Sequence, residues 1–104
     1  MSDIIEKLET ILQDRKTKSP GDSYVSSLYS KGNQHICDKI MEEAGELVDA
    51  TEDGKAQVVH ETADLLFHVL VLLASLDVKY ATILDELTKR FGTSGIEEKN
   101  NREK

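Results

Sequence analysis

The stretch from Leu65 to Leu76, LLFHVLVLLASL, is apolar almost without interruption and constrains this chain more than any other feature. Only His68 and Ser75 break it, and as a run it is too short to span a bilayer. A helix that is apolar on nearly every face belongs inside a bundle. The run therefore predicts the second half of a core helix that starts near Lys55, continues to about Leu76 and lies at the centre of the molecule. The rest of the chain has to supply the helices around it.

Apolar residues recur at helical spacing on both sides of this segment. Ile4, Leu8, Ile11 and Leu12 follow the capping candidates Ser2 and Asp3 and predict a first amphipathic helix to about Arg15. Lys16 to Asp22, with Pro20-Gly21, reads as a linker. Ser23 caps a short helix carrying Tyr24, Val25, Leu28 and Tyr29, which Gly32 ends. A longer helix then runs from Asn33 to about Glu52, with Ile36, Ile40, Ala44, Leu47 and Val48 on its buried side and Asp53-Gly54 as the turn after it. Tyr80, Ile83, Leu84, Leu87 and Phe91 define a fifth helix stopped by Gly92, and Ser94 with Glu97 forms a capping box for a last turn. Low aromatic content (5%), no Trp and a single Pro suit a helical domain better than a sheet. The expected fold is all-α: one domain over residues 1–104, with a helical hairpin over 33–76 and flanking helices. One small chain has few helices with which to cover Leu65 to Leu76, so two hairpins are expected to pack as a four-helix bundle in a homodimer.

Charge narrows the function. Thirteen basic residues against twenty acidic ones give a net charge of -7, which repels nucleic-acid backbones and argues against a nucleic-acid partner. An acidic protein can still act on phosphates when divalent cations bridge its carboxylates to the substrate. The amino terminus lacks the basic start and continuous apolar run of a signal peptide, and no membrane partner is expected. Cys37 is the only cysteine, so no internal disulfide forms and a cytoplasmic location is expected; the residue reads as a small buried hydrophobe.

Two acidic clusters stand out: Glu42-Glu43-x-x-Glu46 on the third helix and Glu61-x-x-Asp64 on the fourth. Acidic runs on helices are usually solvated faces, but position on the helical wheel argues otherwise here. At about 100° per residue, Glu43 lies between Ile40 and Leu47 inside the apolar arc, Glu46 at its edge and Glu42 farther towards solvent. Glu61 falls near Leu72, and Asp64 near His68. Uncompensated carboxylates on apolar faces cost several kcal/mol, roughly, unless they are paired or bind cations. Lys39, one turn from Glu43, cannot neutralise them all. In an antiparallel hairpin centred on Asp53-Gly54, Glu46 faces Glu61 and Glu43 faces Asp64, so four carboxylates converge. Such hard oxygen donors suit Mg²⁺, or Mn²⁺. His68 is a candidate for orienting a ligand or phosphate, or a satisfied core histidine. There is no zinc spacing, no Glu-x-x-His pair of the di-iron type and no Gly-rich phosphate loop.

The acidic hairpin resembles that of the all-α, MazG-like nucleoside triphosphate pyrophosphohydrolases, in which such carboxylates hold Mg²⁺. More narrowly the chain looks like the phosphoribosyl-ATP pyrophosphohydrolase family of histidine biosynthesis over nearly its whole length. The features are Ser23-Tyr24-Val25-x-x-Leu28-x-x-Lys31-Gly32, Lys39-Ile40-x-Glu42-Glu43-x-x-Glu46, His60-Glu61-x-Ala63-Asp64-Leu65-x-Phe67-His68, and Arg90 to Lys99, RFGTSGIEEK. The acidic set is common to the superfamily, whereas the first and last segments are the more specific signals.

That resemblance implies hydrolysis of 1-(5-phosphoribosyl)-ATP to phosphoribosyl-AMP and pyrophosphate, with Mg²⁺ held by Glu43, Glu46, Glu61 and Asp64. Glu42 is a further ligand or helps to activate water. Lys31, His68, Arg90, Lys99 and Arg102 are candidates for contacting substrate phosphates, although each charged one is by default a solvated surface residue. Two rival readings are a housekeeping pyrophosphohydrolase acting on other nucleotides, and a non-enzymatic helical module whose acidic face docks a basic partner.

Overall fold

Serine and glycine set several of the helix boundaries in this chain. In the computed structural model, which describes residues 3–92, Ser23 stands in extended conformation and its Oγ accepts the Ser26 N–H at 2.9 Å, starting a helix. Gly32, at φ 95°, closes that helix and opens the next, and Gly54, at φ 108°, opens the one after. Both are left-handed positions that a side chain would strain. The elements are α1 (Asp3–Asp14), a 3-10 turn (Arg15–Thr17), α2 (Tyr24–Lys31), α3 (Asn33–Ala50), α4 (Lys55–Ser75) and α5 (Tyr80–Phe91). The all-α expectation holds, and no strand occurs among the described residues.

Boundaries differ in small ways from those expected. Arg15 belongs to the 3-10 turn rather than to α1, and this turn takes Lys16 and Thr17 out of the expected linker. The hairpin turn is wider than Asp53-Gly54: α3 stops at Ala50, and Thr51 to Asp53 turn by bonding back to Val48, Asp49 and Ala50. Gly92 follows α5 at φ -70°, so the helix ends there without a left-handed cap. The capping box expected at Ser94 and Glu97 lies outside the described residues.

The core joins Leu12 of α1, Val25 and Leu28 of α2, Ile36 of α3, and Leu70, Val71 and Ala74 of α4. Burying each of the leucine, valine and isoleucine side chains among them stabilises the fold by about 1.5–3 kcal/mol. Polar ties fix α2 against α1 and the 3-10 turn, since Tyr29 Oη donates to the Leu12 carbonyl at 2.9 Å and Ser26 Oγ to the Arg15 carbonyl at 2.8 Å. The start of α5 is held by its Tyr80 N–H on Glu9, and the left-handed Asp77 before it pairs with Lys16. The longest pairing in the molecule is α3 against α4.

Two expectations about burial need correction. Only one side of α4 is covered within the chain: Leu70, Val71 and Ala74 are buried, but Leu66 and Leu76 are exposed, as is Val59 one turn or more before the run. Four other helices of this size do not enclose the whole circumference of α4, which supplies Leu70, Val71 and Ala74 to the core and leaves its other flank to solvent among the described residues. On α3, Val48 is 67% exposed because α3 turns that flank away from α4. Apolar residues of α5, Leu84, Leu87 and Phe91, are also exposed. Counted as a whole, the 21-residue α4 is long and apolar enough to cross a membrane by length and composition, which the apolar run alone is not. It nevertheless carries Glu61 and Asp64, which would be costly in lipid, and packs along α3.

Candidate metal centre

Acidic side chains on α3 and α4 form two triads, one per helix. On α3, Glu42, Glu43 and Glu46 bring ligating atoms within 4.8 Å of one another, and on α4 His60, Glu61 and Asp64 do the same. Spacing of three and four residues brings Glu42 and Glu43 each beside Glu46, and His60 and Glu61 each beside Asp64. Wheel positions translate into burial for Glu43, which is buried, and for Glu42, which is exposed; Glu46, expected at the edge of the apolar arc, is exposed as well. Glu61 and Asp64 are half-buried. Among the described residues no equally close group draws on both helices, so the expected quartet of Glu43, Glu46, Glu61 and Asp64 stands here as two adjacent sets.

The two most inward carboxylates share an unusual feature. Glu43 Oε1 lies 4.0 Å from Lys39 Nζ, but its Oε2 is buried without a hydrogen-bond partner. Glu61 Oε2 accepts from Gln57 Nε2 at 2.8 Å, and its Oε1 is likewise buried and unpartnered. Leaving such an oxygen unsatisfied costs about 1–3 kcal/mol, more when it is charged. Native folds rarely keep such groups without an ion, a water or a function to explain them.

Charge around Glu43 points the same way. A hydrogen bond shared with the Glu43 carboxyl, and then the repulsion of its charge, hold Glu46 above its ordinary carboxylate value. A divalent cation relieves the same repulsion without a proton. Lys39 is the one basic side chain paired with the α3 triad among the described residues, 3.4 Å from Glu42 as well as 4.0 Å from Glu43. Partial burial works against its charge, but Tyr24, Glu42 and Glu43 outweigh this and hold its ammonium above the ordinary value. One such charge does not balance three carboxylates.

Hard oxygen donors, two of them buried and unpaired, fit Mg²⁺ or Mn²⁺. His60, whose Nε2 is 3.5 Å from Asp64 Oδ2, was not singled out in the sequence. Its position one turn before Asp64 was the available signal. His68 is buried, with both ring nitrogens engaged: Nδ1 with the Asp64 carbonyl at 2.8 Å and Nε2 with Tyr24 Oη at 2.9 Å. This is the satisfied core histidine, and it presents no free nitrogen to a phosphate. Tyr24 is a site-side residue that sequence reasoning missed, because only the fold sets α2 against α4. Lys31 is exposed, and Arg90 is exposed and paired with Glu86 at 2.9 Å. Lys99 and Arg102 lie outside the described residues.

Known proteins are similar to this chain over nearly its whole length. A family model described as phosphoribosyl-ATP pyrophosphohydrolase matches residues 5–91. A phosphoribosyl-ATP pyrophosphatase of Vesicomyosocius okutanii is 50% identical over 103 residues, covering 98% of both chains. Proteins of the same name from Methylococcus capsulatus and Hydrogenovibrio crunogenus are each 48% identical, covering 96% and 99% of this chain and 96% of their own lengths.

Proposed function

This chain belongs to the phosphoribosyl-ATP pyrophosphohydrolase family, and from that premise we propose that the α3–α4 hairpin is its catalytic centre. The enzyme hydrolyses 1-(5-phosphoribosyl)-ATP to phosphoribosyl-AMP and pyrophosphate, a step of histidine biosynthesis. The observation that carries the site assignment is the pair of buried, unpartnered oxygens on Glu43 and Glu61. Glu43, Glu46, Glu61 and Asp64 would hold Mg²⁺, with Mn²⁺ as a substitute, and Glu42 stands beside them as a further ligand or a base for water. When bound, the metal offsets charge on the substrate phosphates and on the departing pyrophosphate.

The side chains set the rest of the chemistry. Water adds to phosphorus as the bridging oxygen leaves with pyrophosphate, and the water proton passes to an acidic side chain or to solvent. Lys39 keeps Glu42 and Glu43 in place and limits their mutual repulsion. Contacts to the second ribose phosphate, which ordinary nucleotides lack, fall to basic side chains away from the hairpin: Lys31, Arg90, Lys99 and Arg102 are the candidates.

Homodimer formation belongs to the same proposal. Leu66 and Leu76 of α4 with Leu84, Leu87 and Phe91 of α5 are left exposed by the single chain, and packing two hairpins as a four-helix bundle would cover such faces. Sedimentation at micromolar concentration should give about twice 11.6 kDa. A cytoplasmic location, with neither nucleic acid nor membrane as partner, completes the reading and is consistent with one unpaired cysteine and the acidic balance.

Direct measurement of pyrophosphate release tests the proposal. Phosphoribosyl-ATP should be turned over with a much higher kcat/KM than ATP, dATP or dUTP, and Asp64→Asn should abolish turnover in a folded protein. Equal turnover of the ordinary nucleotides would favour the housekeeping rival, and wild-type rates in Asp64→Asn would overturn the site.

A further inference from the structure

The Tyr24–His68 contact has a direction that follows from bonding alone. The Asp64 carbonyl can only accept, so His68 Nδ1, 2.8 Å away, carries the proton. In the neutral ring Nε2 is then a lone pair, and Tyr24 Oη, at 2.9 Å, must donate to it. This gives a chain running from the first residue of α2 through a buried imidazole to the backbone of Asp64 on α4. The imidazole is further fixed by edge-on contacts with Tyr24, ring centroids 5.8 Å apart, and Phe67, 5.3 Å apart.

What the chain constrains is the turn of α4 that carries Asp64. In a helix the Asp64 carbonyl already accepts the His68 backbone N–H, so the ring adds a second donor from the same residue to one oxygen. Bonding to that carbonyl steadies the turn of α4 from which the Asp64 side chain leaves. The carboxylate itself is held more loosely: its side chain is 45% exposed, and His60, at 3.5 Å, is its ion-pair partner.

We propose that Tyr24 is a positioning residue for the metal site: by donating to His68 it holds the imidazole that fixes Asp64, so the docking of α2 sets the geometry of a ligand on α4. The inference rests on the reading of Asp64 as a metal ligand. Outer residues that orient ligands in this way change metal affinity more than they change substrate contacts.

The test uses the full chain with Mg²⁺ alone as probe. Tyr24→Phe keeps the ring and removes the donor. By calorimetry it should weaken Mg²⁺ binding about tenfold, with KM for phosphoribosyl-ATP at saturating Mg²⁺ little changed. Unchanged Mg²⁺ affinity in a folded Tyr24→Phe protein, whatever its Tm, reduces Tyr24 to a packing role and overturns the proposal. A raised KM with unchanged Mg²⁺ affinity overturns it too, by making Tyr24 a substrate contact. Wild-type protein that binds no Mg²⁺ at all would remove the metal reading itself, so the two failures are distinguishable. Should the variant not fold, nitrogen-15 NMR of the wild-type imidazole still decides. The proposal requires the ring proton on Nδ1 with Nε2 accepting from Tyr24, and a proton on Nε2 contradicts it.

Discussion

About two helical turns separate two regions of α4 that treat buried polar atoms in opposite ways. At His68 both ring nitrogens are bonded, one to Tyr24 and one to the Asp64 carbonyl. At Glu61, and across the hairpin at Glu43, an oxygen of each carboxylate is buried with nothing to bond. Full satisfaction rigidifies a structure, whereas a repeated deficit of donors in one place is a demand for a cation. The first region is scaffold and the second is site.

Opposite treatment should give mutations opposite signs. In the deficient region, Glu43→Gln or Glu61→Gln should reduce pyrophosphate release by about 100-fold or more, since a neutral amide is a poor ligand for Mg²⁺. The same substitutions should leave the metal-free Tm unchanged or raise it by a few degrees, roughly, because a buried unpaired charge is lost. In the satisfied region, Tyr24→Phe leaves His68 Nε2 without its donor and should lower stability by about 1–3 kcal/mol, seen as a fall in Tm. Finding the same sign at both places would erase the distinction.

Acid should sharpen the contrast more gently. Glu46 is raised by its hydrogen bond to, and repulsion from, Glu43. A raised carboxyl favours the folded state while protonated, so the metal-free protein should lose that contribution as pH climbs through the raised value. Mg²⁺ competes with the same proton, and its affinity should therefore increase with pH across the window above the ordinary 4.5. Calorimetry at several pH values checks both the direction and the proton release. The smallest effect belongs to a pair outside both regions, Lys16 and Asp77. Their hydrogen bond and charge hold Asp77 below its ordinary value, so any contribution is present at neutral pH and fades only as pH falls through that lowered value. Asp77→Asn, which tolerates the left-handed backbone at φ 59°, should barely move Tm and should not touch activity.

Local rules made most of the fold legible in the sequence. Ser23, Gly32 and Gly54 act on their immediate neighbours, so the starts of α2, α3 and α4 could be placed from residue type alone. Glu43 could be read as buried because helical periodicity is also local. What needed the structure was longer in range. Tyr24 and His68 are separated by 44 positions, and nothing local says that α2 lies against that face of α4. Exposure of Val48 and Leu66 was missed for the same reason: a wheel identifies an apolar side chain but not whether this chain has a partner for it. Mirrored spacing placed the four carboxylates on facing sides of a hairpin, but the separation into two triads, with His60 in one, depends on rotamers that spacing does not encode.

The central claim is that the buried oxygens of Glu43 and Glu61 are metal ligands, and Mg²⁺ titration of the metal-free protein by calorimetry tests it most directly. Wild-type protein should bind Mg²⁺, and Glu43→Gln and Glu61→Gln, each shown by circular dichroism to be folded, should lose most of that binding. Undiminished Mg²⁺ binding in both variants would contradict the account.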